Sequence, residues 1–589
     1  MVRKLGCLLA LSLCLSASLR GQDVGAALKI LDGWHEDSEK GEERQLHFIL
    51  WSPKDREPPA KYQERLRRIM EHIRKFYADE MERLGFGRRT INLPYDEDGK
   101  LIIHLSQGQH PTSYYEVGSG QEVRKDCLKT LAEAGIDGNK ETIVMFCNLA
   151  TWDEKALKFT HKSPYYAGGI HSRGNAWQLD SPELDSLNLS AKEPMIQDGQ
   201  YGRISLGKHN SIFIGGIAHE LGHALGLPHC KETEEESARG TALMGSGNRT
   251  YGDELRNEGK GSFLTLAHGL KLASHPMFSG STKGMNFPVK SELHDLEITT
   301  DGKGIQVRGQ VEANPPVYTV LAYFDPEGGS DYNARTASAV PDQDGRFSLS
   351  CVDLPTGKAG ELRLVPVHVN GATAGWLSNT PFRYPYQVSR EGKPDLSQLS
   401  LQRELEPVVE ALKSRKRELA RSEAAKLKGR AGVIAGNLLG RKVVSPPSSD
   451  EKSQEAGLTS FKSANAKVGW FRPSFDSVPE PPFFLSAGGR IFDQGIYAHA
   501  PAVHEYDLGG SWKEFTGLAG MANGKGGTVQ FEIRGDDKVL WRSRTVKAGQ
   551  VVPFSVKVAN VKTLTLRVHP TNDGPGSDWG LWLDPVLKR

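Results

Sequence analysis

The stretch Ile212-Phe-Ile-Gly-Gly-Ile-Ala-His219-Glu220-Leu-Gly-His223-Ala-Leu-Gly226-Leu-Pro-His229 joins an apolar run to three histidines and a glutamate. Because His219 and His223 are four residues apart, a helix would place both imidazoles on one face, where they can share a metal ion. Gly226 can adopt the positive φ that ends a helix, which would let the chain bring His229 to the same ion as a third ligand. The spacing therefore predicts a helix that carries a three-histidine metal site.

The position of Glu220 indicates a chemical role for this site. Glu220 follows His219 directly, so it lies near the metal without being forced into the coordination sphere. A carboxylate in that position can act as a general base toward water. Three protein ligands leave the fourth position of a zinc ion open, as in catalytic zinc sites. We therefore predict Zn²⁺ as the cofactor, with His219, His223 and His229 as its ligands and Glu220 as the catalytic base.

The pattern H-E-x-x-H-x-x-G-x-x-H over residues 219–229 resembles that of the metzincin clan of zinc metallopeptidases. The clan also has a methionine-containing turn downstream, and Ala242-Leu-Met244-Gly-Ser-Gly is a candidate for it. The resemblance implies a zinc endopeptidase with Met244 beneath the metal and an antiparallel edge strand beside the cleft. Clan members often have a tyrosine two residues after the methionine. Ser246 stands there in this chain, and Tyr251 is the nearest substitute.

Charge and hydropathy limit the partners and the compartment. The chain has 74 basic and 72 acidic residues among 589, so its net charge gives no reason to expect a nucleic-acid partner. Residues 1–21 have the basic start, short apolar core and small residues of a secretory signal peptide. No later segment offers eighteen uninterrupted apolar residues, so we expect no membrane span. These features predict a protein that is secreted, or otherwise periplasmic or extracellular.

Four cysteines remain after the predicted leader, namely Cys127, Cys147, Cys230 and Cys351. Four cysteines allow three sets of pairings. Two alternatives stay open: one disulfide in the catalytic region, or four free buried thiols. Cys230 directly follows His229. Because adjacent residues on an extended segment point in opposite directions, we do not expect Cys230 to be a fourth ligand.

The predicted architecture is multidomain, and its first unit is an α/β (α+β) metzincin-like catalytic domain over residues 22–282. Candidate strands at 46–50, 101–104 and 142–146 alternate with candidate helices at 61–84 and 123–134, which predicts a mostly parallel sheet. Residues 168–171 are a candidate for the edge strand, and residues 263–273 for a closing helix. Since the motif already supplies three ligands, we expect the remaining histidines of this region to be surface or core residues: His104, His161, His171 and His209.

Three further units follow. Residues 286–388 show short alternating segments that predict an immunoglobulin-like β-sandwich acting as a spacer, and residues 389–455 predict a helical segment and a flexible linker. Residues 456–589 resemble the NPCBM family of carbohydrate-binding modules, which implies a jelly-roll β-sandwich that binds carbohydrate. Aromatic rings can stack on sugars. Four tryptophans are possible carbohydrate contacts: Trp512, Trp541, Trp579 and Trp582.

Together these features favour a secreted zinc-dependent endopeptidase that its C-terminal module directs to glycans or glycoproteins. Two alternatives stay open. One is a non-catalytic carbohydrate-binding protein or adhesin, although an intact Glu220 speaks against it. The other is a zinc hydrolase that acts on a glycan substituent, which the C-terminal module would also suit.

Overall fold

The computed structural model describes residues 24–36, 43–328, 330–374, 380–440, 443, 445–450, 452–572 and 574–589. The predicted signal peptide, residues 1–21, lies outside the described residues, as do positions 444 and 451 of the predicted linker. Among the helices that the structure describes, none is both long enough and apolar enough to cross a membrane.

The first domain is built on a five-stranded sheet in the order β2-β1-β3-β7-β6, in which only the pairing of β6 with β7 is antiparallel. A second sheet has the order β4-β5-β8-β9, and β10 pairs with β11. The elements are α1 (24–35), β1 (Leu46–Ser52), α2 (Tyr62–Arg83), β2 (Ile103–Gln107), α3 (Gly120–Glu133), β3 (Thr142–Cys147), β4 (Ala150–Asp153), β5 (Lys158–His161), β6 (Tyr166–Ile170), β7 (Arg173–Leu179), β8 (Met195–Asp198), β9 (Gly202–Ser205), α4 (Leu206–Ala224), β10 (Thr241–Ala242), β11 (Ser262–Phe263), α5 (Leu266–Ala273) and α6 (Pro276–Ser279).

Both faces of the main sheet are covered, which explains why β3 reads as an uninterrupted apolar run. Val144 and Phe146 pack into the cluster that contains α2 and α4. Ile143 and Met145 point the other way, into the cluster formed with α3. The predicted strands and helices of this domain are therefore present, and residues 168–171 overlap the antiparallel edge strand β6 as expected. Strand β7, between β3 and β6, was not predicted from the sequence.

The second domain is a sandwich of a three-stranded sheet, β12-β13-β16, and a five-stranded sheet, β15-β14-β17-β18-β19. Residues of both sheets share one buried cluster, so the prediction of a two-sheet sandwich agrees with the structure. The strands are β12 (Lys290–Thr300), β13 (Ile305–Asn314), β14 (Val317–Pro326), β15 (Arg335–Ala339), β16 (Arg346–Cys351), β17 (Lys358–His368), β18 (Arg383–Val388) and β19 (Pro394–Asp395).

The sandwich is not the spacer that we expected, because its five-stranded sheet completes the core of the first domain. Tyr318, Leu321 and Val367 belong to the same buried cluster as helices α2 and α4. Tyr318 donates a hydrogen bond to the carbonyl oxygen of Leu270 in α5. The backbone N–H of Lys231 donates to the carbonyl oxygen of Ala334 at 2.8 Å. The two domains therefore share one continuous core.

A chain that ends at residue 282 should consequently be much less stable than one that ends at residue 395. Loss of the sandwich exposes apolar surface on α5 and its neighbours, and each buried apolar side chain is worth about 1.5–3 kcal/mol. We expect the melting temperature of the shorter chain, followed by circular dichroism, to be lower by about 10 °C or more. Equal melting temperatures would show that the shared core contributes little.

A helical segment joins the sandwich to the C-terminal domain and packs on both. It consists of α7 (Ser397–Lys413), α8 (Arg417–Lys426) and α9 (Gly429–Leu439). Leu405 and Ile434 lie in one buried cluster with Phe484 and Ile491 of the C-terminal domain. The C-terminal domain also approaches the sandwich directly, since a Cβ added to Gly489 would lie 2.7 Å from the carbonyl oxygen of Gly360 in β17. The C-terminal domain therefore packs against the helical segment and against the sandwich.

The C-terminal domain is a second β-sandwich. One sheet has the order β22-β25-β33-β27-β31, with β20 on β33, and the other has the order β21-β26-β32-β28-β29, with β30 on β28. The strands are β20 (Glu455–Gly457), β21 (Asn465–Lys467), β22 (Ser474–Phe475), β23 (Leu485–Ala487), β24 (Arg490–Phe492), β25 (Gly495–His499), β26 (Ala502–Asp507), β27 (Glu514–Met521), β28 (Thr528–Gly535), β29 (Lys538–Arg542), β30 (Val546–Lys547), β31 (Val551–Lys557), β32 (Thr563–Pro570) and β33 (Trp579–Lys588).

Candidate metal centre

Helix α4 carries the first part of the site. It begins after Ser205, whose side-chain oxygen accepts a hydrogen bond from the backbone N–H of Lys208 at 3.1 Å, and it ends at Ala224. Gly226 has a φ of 84°, so the chain leaves the helix through a conformation that favours glycine. The turn that follows brings His229 back toward the helix.

The structure brings the three predicted histidines together. One ring nitrogen from each of His219, His223 and His229 lies within 4.8 Å of the others, and this is the only such cluster among the residues described. The Nε2 atoms of His223 and His229 are 3.0 Å apart. An approach of this kind suits two nitrogens that share a cation.

Each of the three rings is oriented by a hydrogen bond at its other nitrogen. Carbonyl and carboxylate oxygens only accept, so each Nδ1 carries the proton and each Nε2 presents a lone pair toward the centre. His219 Nδ1 donates to the Leu243 carbonyl at 2.7 Å, and His223 Nδ1 donates to the Leu227 carbonyl at 2.8 Å. His229 Nδ1 donates to Asp331 Oδ1 at 2.8 Å. The donor set therefore fits a zinc ion.

Burial sets the charge of two candidate ligands and of the neighbouring glutamate. It lowers the pKa of His219 to about 3 and that of His223 to about 4, so both imidazoles are neutral at physiological pH, as metal ligands must be. Burial also raises the pKa of Glu220 to about 8, and a cation held by the adjacent histidines would lower that pKa and keep the carboxylate ionised. None of the described hydrogen bonds or ion pairs involves the Glu220 carboxylate, and its side chain keeps some exposure. It is thus free to contact a water molecule or a substrate.

The sandwich contributes two residues that sequence reasoning did not find. Asp331 and Tyr332 lie in the 3₁₀ helix Ser330–Asn333, in the loop between β14 and β15. The Tyr332 ring stacks on His229 with 3.6 Å between centroids, and its side chain is 44% exposed. Burial opposes ionisation of Asp331, but the hydrogen bond to His229 leaves its pKa below the ordinary value. No local motif marks this pair, because only the packing of the two domains brings it to the histidines.

Met244 packs against helix α4, and its predicted place beneath a metal ion remains a prediction. Its side chain is fully buried, and a Cβ added to Gly222 would lie 2.4 Å from its sulfur. The same turn supplies the Leu243 carbonyl that orients His219. Tyr251 is buried against Phe76, at 5.3 Å between ring centroids, and does not face the histidines.

The other candidate residues of this region lie away from the cluster. His209 is buried between Asp198 and Glu183, and His171 Nε2 donates to the carbonyl oxygen of Met285. His104 and His161 are outside the metal cluster too. The Cys230 sulfur contacts Thr265 and His268 instead of the metal ligands. All four described cysteines are buried free thiols, so the disulfide alternative is not realised.

The edge strand β6 borders the cleft beside the helix. A Cβ added to Gly169 would lie 1.7 Å from the carbonyl oxygen of Ala224, so only glycine allows the strand to lie this close to the end of α4. One side of β6 pairs with β7, and the other side has no strand partner among the described residues. This free edge offers backbone groups to an extended peptide.

Part of the prediction of carbohydrate contacts is wrong, because some of the four tryptophans are buried in the domain core. Trp512 and Trp582 have no exposed surface and fill the core of the C-terminal sandwich. Trp579 is 5% exposed, and the Lys525 ammonium covers its ring at 4.0 Å. Trp541 is partly buried, and its contact with carbohydrate remains a prediction. The exposed aromatic residues of this domain are Trp470, at 59%, and Phe471, at 50%.

Comparison with known proteins gives a domain family and a fold. The NPCBM/NEW2 domain model matches residues 454–588. Wild-type OgpA from Akkermansia muciniphila is 24% identical, with 60% of this chain and 96% of that chain covered and a TM-score of 0.50. Catalytically inactive OgpA in complex with an O-glycopeptide substrate, glycodrosocin, is 24% identical, with 57% and 92% covered and a TM-score of 0.48.

A CBM51 from Clostridium perfringens GH95, solved with methyl-galactose, is 23% identical, with 23% of this chain and 99% of that chain covered and a TM-score of 0.22. No curated protein matches the chain. The chain therefore shares its fold with OgpA over 60% of its length, and its C-terminal residues 454–588 form an NPCBM/NEW2 domain, which confirms that prediction.

Proposed function

We propose that this protein is a secreted, metzincin-like zinc endopeptidase that acts on glycoproteins. The observation that carries the proposal is the convergence of three imidazoles, each with its Nδ1 engaged in a hydrogen bond, beside a glutamate that has no partner among the described residues. A closed structural zinc site would have four protein ligands. Here the described residues supply three, and the cleft beside β6 leaves room for a substrate.

His219, His223 and His229 would hold the zinc ion, which supplies Lewis acidity and makes water nucleophilic near neutral pH. Glu220 accepts the proton of the attacking water and later delivers it to the nitrogen of the leaving amine. The free edge of β6 binds the peptide as an added strand, which aligns the scissile carbonyl with the histidines.

We assign to Tyr332 the hydrogen bond that stabilises the carbonyl oxygen as negative charge develops on it. Tyr332 stacks on His229 and lies close enough to Glu220 for the carboxylate to raise its pKa, after burial as the larger cause. Tyr251, the nearest candidate in the sequence, is buried elsewhere. The sandwich thus supplies a catalytic group across the domain boundary.

Tyr332→Phe removes only the hydroxyl group, so stacking on His229 should persist. We expect kcat to fall by about 10- to 100-fold at unchanged zinc content, the scale for losing one hydrogen bond to developing charge. Steady-state kinetics with a fluorogenic peptide measures this effect. The control is Tyr318→Phe, in strand β14 of the same domain, which shows how much a lost buried hydroxyl costs stability alone. A kcat equal to that of wild type would exclude Tyr332 from catalysis.

Cleavage of unstructured peptides by the full-length protein tests the proposed activity. The substrates should include matched peptides with and without an O-glycan, because inactive OgpA was solved with an O-glycopeptide. We expect 1,10-phenanthroline to abolish cleavage and added Zn²⁺ to restore it. Release of a glycan substituent without peptide cleavage would favour the alternative hydrolase. Zinc binding with no turnover of either substrate would favour the adhesin.

The NPCBM/NEW2 domain is proposed to bind carbohydrate on the substrate. The exposed pair Trp470 and Phe471 offers open ring faces, which sugar stacking requires. A glycan array probed with the full-length chain should show binding that Trp470→Ala weakens. Because Trp512 is a core residue, its replacement would instead lower stability, so the two variants separate binding from folding.

A further inference from the structure

A cavity of about 530 Å³ adjoins the metal centre. Gly169 of the edge strand lies on one wall, His223 and His229 on another, and Tyr323 of the sandwich on a third. Lys271 of helix α5 also lines it. The cavity therefore opens next to the histidines at the junction of the two domains, where a residue or a substituent of a bound peptide would enter.

The Lys271 ammonium has no partner in this cavity. The side chain is partly exposed, and none of the described hydrogen bonds or ion pairs involves it. Asp331 is the acidic residue among the described lining residues, and its carboxylate already accepts from His229. Burial lowers the pKa of Lys271 to about 8, so the side chain is still mostly charged at neutral pH.

The Tyr323 hydroxyl lies behind the cavity wall. The residue is 1% exposed, and its oxygen is buried without a hydrogen-bond partner among the described residues. Of the two groups, Lys271 is the one with exposed surface, so it is the cation that a ligand in this cavity would meet.

We propose that this cavity is a specificity subsite that binds a carboxylate group of the substrate, with Lys271 as its counter-ion. The carboxylate belongs to an acidic amino-acid side chain near the scissile bond or to an acidic sugar on that peptide. The inference rests on the proposed peptidase function. It goes beyond that function because neither the zinc motif nor the fold specifies what the cleft selects.

Binding to an inactive full-length chain tests the subsite without turnover. The Glu220→Gln protein is titrated with labelled peptides in matched pairs, Glu against Gln and Asp against Asn at each position, and with O-glycopeptides that carry or lack sialic acid. Fluorescence anisotropy should show the acidic member of one pair binding about 10- to 100-fold more tightly, as expected for a charge-assisted hydrogen bond. The pair that responds identifies the source of the carboxylate.

Adding Lys271→Met should erase the difference within that pair, whereas Lys271→Arg should retain part of it. Lys129→Met, an exposed lysine of helix α3, is the control and should leave the difference intact. Peptide binding with no preference for any acidic member, or a preference that survives Lys271→Met, would overturn the subsite while leaving the peptidase proposal standing. Failure of all peptides to bind, with no cleavage by the wild-type protein, would overturn both.

Discussion

Replacing His223 by alanine should remove the zinc ion and lower peptidase activity by about a thousandfold or more. His223 supplies one of only three ligands, and its ring also lies against His229, so two ligands cannot hold the ion in a defined position. The lost Lewis acidity is worth several kcal/mol of transition-state stabilisation. Zinc content by mass spectrometry and kcat/KM on one peptide measure the two effects.

The control for this experiment is His104→Ala. His104 lies in the same domain, outside the metal cluster, and we expect this variant to keep about one zinc ion per chain. The assignment would be wrong if the His223→Ala protein still held stoichiometric zinc. A melting temperature close to that of the metal-free wild-type protein would show that the variant loses the ion and not the fold.

Local sequence patterns predicted those parts of the site that one segment encodes. The spacing of His219 and His223 depends only on helix geometry, and the turn at Gly226 depends only on a backbone conformation that glycine favours. Strands β1 and β3 were predictable from local sequence too, since a sheet covered on both faces requires continuous apolar runs in its central strands. Such features need no knowledge of distant contacts.

Residues that reach the site through domain packing were not predictable in this way. Asp331 is 102 positions from His229 along the chain, and its loop contains no motif. Lys271 lies in the predicted closing helix, whose sequence does not mark it for the site, and residues of the sandwich close the cavity in front of it. The prediction that Trp512 and Trp582 contact carbohydrate was wrong for a different reason. Composition alone cannot distinguish a core ring such as Trp582 from an exposed ring such as Trp470.

The shared core also changes how the two domains contribute to the chemistry. The sheet that carries Tyr323 packs against the zinc domain, and the loop that follows it carries Asp331 and Tyr332. Because Asp331 orients His229, a shift of the sandwich would move this candidate ligand together with the Tyr332 ring. The candidate zinc site is therefore built by residues of both domains, so the sandwich does more than separate its neighbours.

Glu220→Gln should separate the base from the ligands. Glutamine keeps the size of the side chain and can still hydrogen-bond to water, but it cannot accept the proton at neutral pH. We expect zinc content and melting temperature to stay close to those of the wild-type protein, because none of the described hydrogen bonds or ion pairs holds Glu220 in place. The variant should lose about 100- to 10,000-fold in kcat, the range for a positioned general base.

The contrast with Glu183 makes this test specific. Glu183 is a buried carboxylate of the same domain that binds His209 and Ser181, so Glu183→Gln should lower stability and leave the zinc chemistry in place. If Glu220→Gln retained near wild-type kcat, another group would have to accept the proton. Loss of zinc from Glu220→Gln would instead make the carboxylate a ligand. Only unchanged zinc combined with a large loss of kcat fits Glu220 as the base, since a ligand or a structural carboxylate would change metal content or stability first.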